Sequence, residues 1–170
     1  AANNQGAAVS GGEFLLFLNP DMRVEEVSID KMVAWMRARP EVGIASCKLV
    51  DEEGRLNANA KPRRFPGLLD QLAIIFKLPH LFPGVLNRYL LKDFNPRVEQ
   101  EVDSVRGSFF LMRRELYQKL GSAFDPRYFI WFEEVDACRE AKRLGYKVMY
   151  TPLVSCVDYL CTLLLLSLSQ

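Results

Sequence analysis

The apolar run Phe14–Leu18, which stops abruptly at Asn19-Pro20-Asp21, constrains the fold of this chain more than any other stretch. The run is continuous rather than alternating, which is typical of a strand covered on both faces of a parallel sheet. Pro20 has no amide donor and fixes its own φ, so sheet pairing ends there. The sequence therefore predicts a buried strand over residues 13–18, with Asp21 presented at the edge of the sheet.

Helices and strands alternate along the rest of the chain. Ser28 predicts the N-cap of a helix that closes at Pro40. Strands are predicted over residues 42–50, 102–112 and 147–151, and further helices over 113–120 and 132–144, each of the two ending at a glycine. This order favours an α/β fold, with a parallel or mixed sheet flanked by helices and ligands bound beyond the carboxyl ends of the strands.

Two segments depart from this pattern. Residues 57–96 carry five prolines and predict an excursion with one or two short helices, in which His80 is interpreted as structural. Residues 159–170 are uncharged and rich in leucine, but about a dozen residues are too few for a helix that crosses a bilayer. We interpret the chain as one domain, residues 1–158, followed by an apolar tail that forms either a buried element or homodimer contact, or a peripheral membrane contact.

The composition gives no indication of a nucleic-acid partner or of a structural zinc site. The 22 Lys and Arg residues nearly balance the 21 Asp and Glu residues, so no overall field indicates nucleic acid. The four cysteines and one histidine lack the spacing of a structural zinc site, which favours a reduced, cytoplasmic protein. The N-terminus also lacks the charged start and apolar run of a signal peptide.

Asn19 and Asp21 are the first candidate site residues. A carboxylate at the rim of a sheet, with an amide oxygen beside it, suits a hard cation such as Mg²⁺ or Mn²⁺ whose remaining ligands are diphosphate oxygens. The same Asn-Pro-Asp stretch is also an ordinary turn signal, and that alternative stays open.

A second candidate lies where Glu133, Glu134 and Asp136 follow a group of aromatic residues that includes Trp131. A general base needs a carboxylate at the mouth of a site, and aromatic walls can stack on sugar rings or exclude water. Acidic residues in the first turn of a helix also complement its dipole without any catalytic role. The residues alone do not decide between the two interpretations.

Two smaller features complete the candidates. Gly107, next to Ser108, interrupts a predicted strand and indicates either a bulge or a place where a ligand approaches the backbone. Arg63 and Arg64 form a small basic loop that either neutralises phosphate oxygens or is simply a solvated turn.

Taken together and in order, residues 2–21, 42–56, 63–66 and 105–152 resemble the family 2 glycosyltransferases, in particular the rhamnosyltransferase-like group that builds bacterial surface polysaccharides. The resemblance implies a GT-A type fold. It also implies inverting transfer of a sugar such as rhamnose from a nucleotide-diphosphate donor to a polysaccharide or lipid-linked acceptor, in the cytoplasm at the inner face of the membrane.

The resemblance also implies roles for the candidate residues. Asn19-Pro20-Asp21 stands where the family has its DxD-like element, so Asp21 is the expected ligand of Mg²⁺ or Mn²⁺ and of the diphosphate, with Arg63 and Arg64 on the same donor. Glu133-Glu134-Val135-Asp136 matches an acidic E-D-x-D element, and Glu134 stands where the family usually has the aspartate base. The choice between Glu133 and Glu134 stays open. The sugar or acceptor is expected near three residues: Gly107, Ser108 and Trp131.

The chain departs from the family pattern in two places. The nucleotide-binding part that precedes these motifs has no counterpart here, so the chain is expected to be the C-terminal half of a catalytic domain. No histidine follows the last strand, where the sequence reads VSCVDY. Two alternatives follow from these departures: a noncatalytic, degenerate binding or assembly module, and a nucleotidyltransferase.

Overall fold

The computed structural model of the chain describes residues 2–57, 60–67, 72, 76, 94–128 and 132–159. Within these residues the elements are, in chain order, α1 (Ala2–Val9), β1 (Phe14–Leu18), β2 (Met22–Arg23), α2 (Glu26–Arg37), β3 (Val42–Val50), β4 (Gln100–Glu101), β5 (Phe109–Arg113), α3 (Arg114–Leu120), α4 (Glu133–Arg143) and β6 (Lys147–Asp158). The predicted excursion over residues 57–96, His80 and the apolar tail fall largely or wholly outside the described residues.

The strands form one mixed sheet in the order β1-β5-β3-β6-β2, with β4 also paired to β6. Strands β3 and β6 are parallel, whereas β1 with β5, β3 with β5, and β2 and β4 with β6 are antiparallel. This sheet confirms the predicted α/β class.

The helices cover both faces of the sheet. Side chains of β5 alternate between two core clusters, so that Phe110 and Met112 pack with α3 and α4, whereas Phe109 and Leu111 pack with α2. This alternation is the two-residue period of a strand. It places α2 on the face opposite α3 and α4. None of the helices in the described part of the chain is long and apolar enough to span a membrane.

Strand β1 differs from the prediction. It lies at one end of the strand order, pairs antiparallel with β5, and has only Leu15 fully buried. The apolar run is continuous because both faces of this end strand touch the core: Phe14 and Leu16 pack against the α2 cluster, and Leu15 and Phe17 against the other. An end strand produced the pattern that we had interpreted as a buried parallel strand.

The bounds of two other strands were also wrong. Strand β5 begins at Phe109 rather than at residue 102, because Gly107 and Ser108 form a turn before it. Strand β6 continues past residue 151 to Asp158, since Pro152 lies in an irregularity between the pairings of Tyr150 and Ser155 with β3, where no ladder amide is needed.

The helix predictions were correct at the C-terminal ends of α3 and α4 but not at every start. Helix α2 begins at Glu26, two residues before the predicted cap at Ser28, and α1 was not predicted at all. Helix α3 ends at Gly121, as predicted, where φ is 76°. Gly145, just after α4, also has a positive φ of 84°. Glycine favours these left-handed ends because it has no Cβ.

Candidate functional site

Asn19, Asp21 and Ser108 meet at the end of β1. The Asn19 amide N–H donates to the Ser108 carbonyl at 3.1 Å, and the Asn19 side-chain amide donates to the Ser108 hydroxyl at 3.4 Å. The turn before β5 is thereby held against the turn after β1. The Oδ1 atom of Asp21 is buried and has no hydrogen-bond partner within the described part of the chain. An unpaired buried carboxylate oxygen is costly, so this atom is a candidate ligand for a cation.

Asp158 lies beside Asp21, and the sequence analysis missed it. Strand β2 pairs with the end of β6 so that Met22 stands opposite Asp158, and the Tyr159 amide donates to the Asp21 carbonyl at 3.1 Å. Burial raises the pKa of Asp158, and the negative charge of Asp21 raises it further. The available signal was an acid at the end of a mostly apolar segment that continues beyond the predicted strand end at residue 151.

This pair of acids fits a hard divalent cation. The donors are two carboxylates with the Ser108 hydroxyl and the Asn19 side chain next to them, all of them oxygen-bearing groups. Within the described residues no group of three or more His, Cys, Asp or Glu side chains could hold a metal ion. Mg²⁺ commonly binds one or two carboxylates and takes its other ligands from water and substrate phosphates, so a pair is sufficient.

The candidate base Glu134 lies in the first turn of α4 and lines a cavity of about 340 Å³. Burial raises the pKa of Glu134, the nearby charge of Glu133 raises it too, and the positive charges of Arg106 and Arg63 oppose the shift. Glu133 does not line this cavity, and its Oε2 atom is buried without a hydrogen-bond partner in the described residues. Glu134 is thus the carboxylate of the predicted pair that faces open space.

Asp136 is separated from Glu134. It accepts a hydrogen bond of 3.4 Å from the Tyr128 hydroxyl and lines a different pocket, together with Leu120 and Pro126. The predicted acidic group is therefore divided between two surfaces. Trp131 lies outside the described residues.

The predicted basic loop lies in the Glu134 cavity. Its walls carry four cations and one carboxylate, with Ser104, Val105, Phe132 and Val135 between them; the charged residues are Lys61, Arg63, Arg64, Arg106 and Glu134. The structure thus places both predicted arginines beside the candidate base.

Arg106 connects the two parts of the site and was missed by the sequence analysis. Its positive charge favours ionisation of both Asp158 and Glu134, and it precedes Gly107 directly. A side chain added at Gly107 would meet no atom within 4 Å. The candidate site therefore has two parts, the carboxylate pair and the cavity of Glu134, and the charge of Arg106 acts on both.

Comparison with known proteins finds glycosyltransferases among the relatives of this chain. The chain is 24% identical to the rhamnosyltransferase WbbL of Escherichia coli K12 over 147 residues, which is 86% of this chain and 52% of WbbL. It is 29% identical to the O-antigen biosynthesis protein RfbC of Myxococcus xanthus over 153 residues, or 89% of this chain and 11% of RfbC. It is 26% identical to an N-acetylglucosaminyl-diphospho-decaprenol L-rhamnosyltransferase of Mycobacterium tuberculosis over 142 residues, or 82% of this chain and 45% of that protein.

The fold also has a solved counterpart. A mannosyltransferase from Pyrobaculum calidifontis, determined with GDP-mannose and Mn²⁺, superposes with a TM-score of 0.55 at 20% identity, over 92% of this chain and 35% of that one. No protein-family model matches the chain. The chain spans about half or less of the length of the relatives it matches.

The mixed sheet with helices on both faces is thus a GT-A-like glycosyltransferase fold. The sequence of the chain is similar to those of rhamnosyltransferases, which agrees with the resemblance that its motifs indicated.

Proposed function

We propose that this chain is part of an inverting family 2 glycosyltransferase that moves a sugar from a nucleotide-diphosphate donor to a polysaccharide or lipid-linked acceptor. The observation that carries the proposal is the half-buried pair Asp21–Asp158, together with Arg106, whose charge acts on both Asp158 and Glu134. The names of the relatives support rhamnose as the sugar and a lipid diphosphate or O-antigen precursor as the acceptor.

Asp21 and Asp158 would hold Mg²⁺ or Mn²⁺ together with the donor diphosphate. The orphaned Oδ1 atom of Asp21 supports this assignment, and so does the Mn²⁺ bound to the mannosyltransferase of the same fold. The cation would neutralise the charge of the departing nucleoside diphosphate. Asn19 and Ser108 hold the turn that carries Asp21 against the turn before β5.

Glu134 would accept the proton of the acceptor hydroxyl, whose oxygen then attacks the anomeric carbon on the face opposite the leaving group. Its burial supports this role, because a raised pKa makes the carboxylate a stronger base than a solvated glutamate. Arg106 keeps enough positive charge nearby for the carboxylate to ionise. Phe132, at the mouth of the cavity, provides an aromatic wall.

The acceptor also suggests the location. A lipid-linked acceptor would bring the enzyme to the inner face of the membrane from the cytoplasm. Peripheral membrane contact or a homodimer through residues 159–170 stays a prediction, since those residues, apart from Tyr159, lie outside the described part of the chain.

The test is calorimetric titration of the 170-residue chain with UDP, dTDP and GDP, each with and without Mn²⁺. We expect Mn²⁺-dependent binding of at least one nucleotide, weakened by about tenfold or more in Asp21→Asn and in Asp158→Asn. Asp30→Asn, an acid-to-amide change on the exposed side of α2, is the matched control and should bind like the wild type.

Three results would contradict the proposal. The first is wild-type binding that does not depend on Mn²⁺. The second is no binding of any of the three nucleotides, which would favour the noncatalytic module. The third is unchanged binding in Asp21→Asn, which would remove the metal role from that carboxylate. A nucleotidyltransferase has no support among the relatives named above.

A further inference from the structure

We infer that the cavity of Glu134 binds a phosphate or diphosphate group of the acceptor, through Lys61, Arg63, Arg64 and Arg106. This inference rests on the proposed function and assigns the four cations to the acceptor, rather than to the donor as the sequence suggested. Three properties of the cavity support it: its unbalanced charge, the way its loop is held, and its position relative to the carboxylate pair.

The cavity has more positive than negative side chains. In the described part of the chain Lys61, Arg64 and Arg106 form no ion pair and no side-chain hydrogen bond, whereas half of the ten described arginines outside the cavity pair with carboxylates. Four cations and one carboxylate line this cavity, and Arg64 also lines a second pocket with Glu101 and Asp103. Like charges gathered around one concave space repel each other unless an anion occupies it. A phosphate group, with several oxygens that accept charge-assisted hydrogen bonds, matches this arrangement.

The loop that carries Arg63 and Arg64 is held in place by backbone hydrogen bonds. Arg63 and Ser104 exchange backbone hydrogen bonds of 3.1 and 3.0 Å, and the Phe65 amide donates to the Asp103 carboxylate at 3.2 Å. Lys142 from α4 donates to the other oxygen of Asp103 at 3.0 Å. The loop is therefore tied to the segment before β5 and to the helix that carries Glu134. Cations on such a loop lose less conformational entropy when they bind an anion.

The position of Glu134 indicates that the phosphate in this cavity belongs to the acceptor. Glu134 lines the same cavity, and a base must lie next to the hydroxyl that it deprotonates, so the molecule in this cavity is the acceptor. The donor diphosphate has its own counter-charge at Asp21 and Asp158 if a divalent cation binds there. A cavity of about 340 Å³ is also at the small end of ligand sites, which suits one charged group with part of a sugar.

Inorganic pyrophosphate, titrated into the 170-residue chain in buffer stripped of metal by a chelating resin, is the direct probe. We expect one site per chain, weakened by about tenfold or more in Arg64→Ala and in Arg106→Ala, because each removes charge-assisted hydrogen bonds. Lys31→Ala removes an equal charge from α2 on the opposite face and should leave the affinity unchanged. Urea unfolding of each variant checks that the fold is retained. Absence of wild-type binding, or an equal loss in Lys31→Ala, would overturn the inference.

The second arm separates acceptor from donor. Arg64→Ala should leave Mn²⁺-dependent binding of UDP, dTDP or GDP unchanged within about twofold, whereas Asp21→Asn should lose that binding and keep metal-free pyrophosphate binding. If Arg64→Ala weakens nucleotide binding as much as pyrophosphate binding, the cations belong to the donor and the inference is wrong. If no nucleotide binds while pyrophosphate does, the donor proposal has failed and the anion site is still established.

Discussion

Replacing Gly43 by alanine is expected to destabilise the protein, although the change adds a single methyl group to a strand. Gly43 lies in β3 where the strand passes under α3 and the turn before β6. A Cβ atom there would stand 2.8 Å from Leu116 Cδ2, 2.8 Å from Tyr146 Cβ and 3.0 Å from Tyr146 Cγ. Carbon atoms in favourable contact are separated by about 3.5–4.0 Å, so all three contacts are far too short.

The size of the effect follows from which of these atoms can move. Leu116 is completely buried in the core cluster of α3 and α4, so its methyl group has little room. The Cβ atom of Tyr146 follows the backbone, which is held by the hydrogen bond from the Tyr146 amide to the Ala141 carbonyl at 3.0 Å. Overpacking of this kind typically costs about 1–3 kcal/mol, and we expect about 2 kcal/mol because two of the three atoms are constrained.

Gly6→Ala is the matched control, since the same methyl group there meets no atom within 4 Å. Gly6 is an exposed residue inside α1, where alanine is favoured over glycine by about 0.5–1 kcal/mol. Urea unfolding followed by circular dichroism should thus show a lower midpoint for Gly43→Ala and an equal or higher one for Gly6→Ala. A Gly43→Ala protein as stable as the wild type would refute the packing of β3 against α3 described here.

Two further predictions concern ionisable groups. Burial raises the pKa of Glu134 above its value in the unfolded chain, so ionising this carboxylate lowers the free energy of unfolding as the pH rises through the folded pKa. Glu134→Gln should therefore raise the free energy of unfolding at pH 8 and change it little at pH 3.5. The same substitution should abolish sugar transfer. Equal effects in urea unfolding at the two pH values would contradict this. Burial raises the pKa of Cys138 to about 12, and Cys47 and Cys156 are buried as well. In a Cys161→Ser variant we therefore expect no thiol to react with an aromatic disulfide reagent until the protein unfolds. A thiol titrating in the native state would show that the core opens.

Part of the fold could be read from short stretches of sequence. The bounds of β3 were predicted correctly, because a mostly apolar segment from Val42 to Val50 is followed by a turn at Gly54. The ends of α3 and α4 were predicted because glycine alone adopts positive φ without strain. The class of site was also indicated locally, by an acid after an apolar strand and by acids at the start of α4.

The partners of those acids could not be read in the same way. Asp158 joins Asp21 only because β6 continues past Pro152 and pairs with β2, and Arg106 reaches the site only because Gly107 and Ser108 form a turn before β5. The local sequence had predicted that the last strand ends at residue 151 and that the strand before α3 runs unbroken from residue 102 to residue 112. Both expectations were wrong because the pairing with neighbouring strands outweighed local preference.

The sequence by itself therefore determined the α/β class, several element boundaries and two of the three carboxylates of the proposed chemistry, Asp21 and Glu134, since these depend on contacts within a few residues. Tertiary structure alone decided that Glu134 rather than Glu133 faces the cavity, that the basic loop lies beside it, and that a methyl group is excluded at Gly43 but not at Gly6. The physical reason is that strand order and register are set by how the whole sheet buries its two apolar faces. That burial depends on residues far apart in the chain.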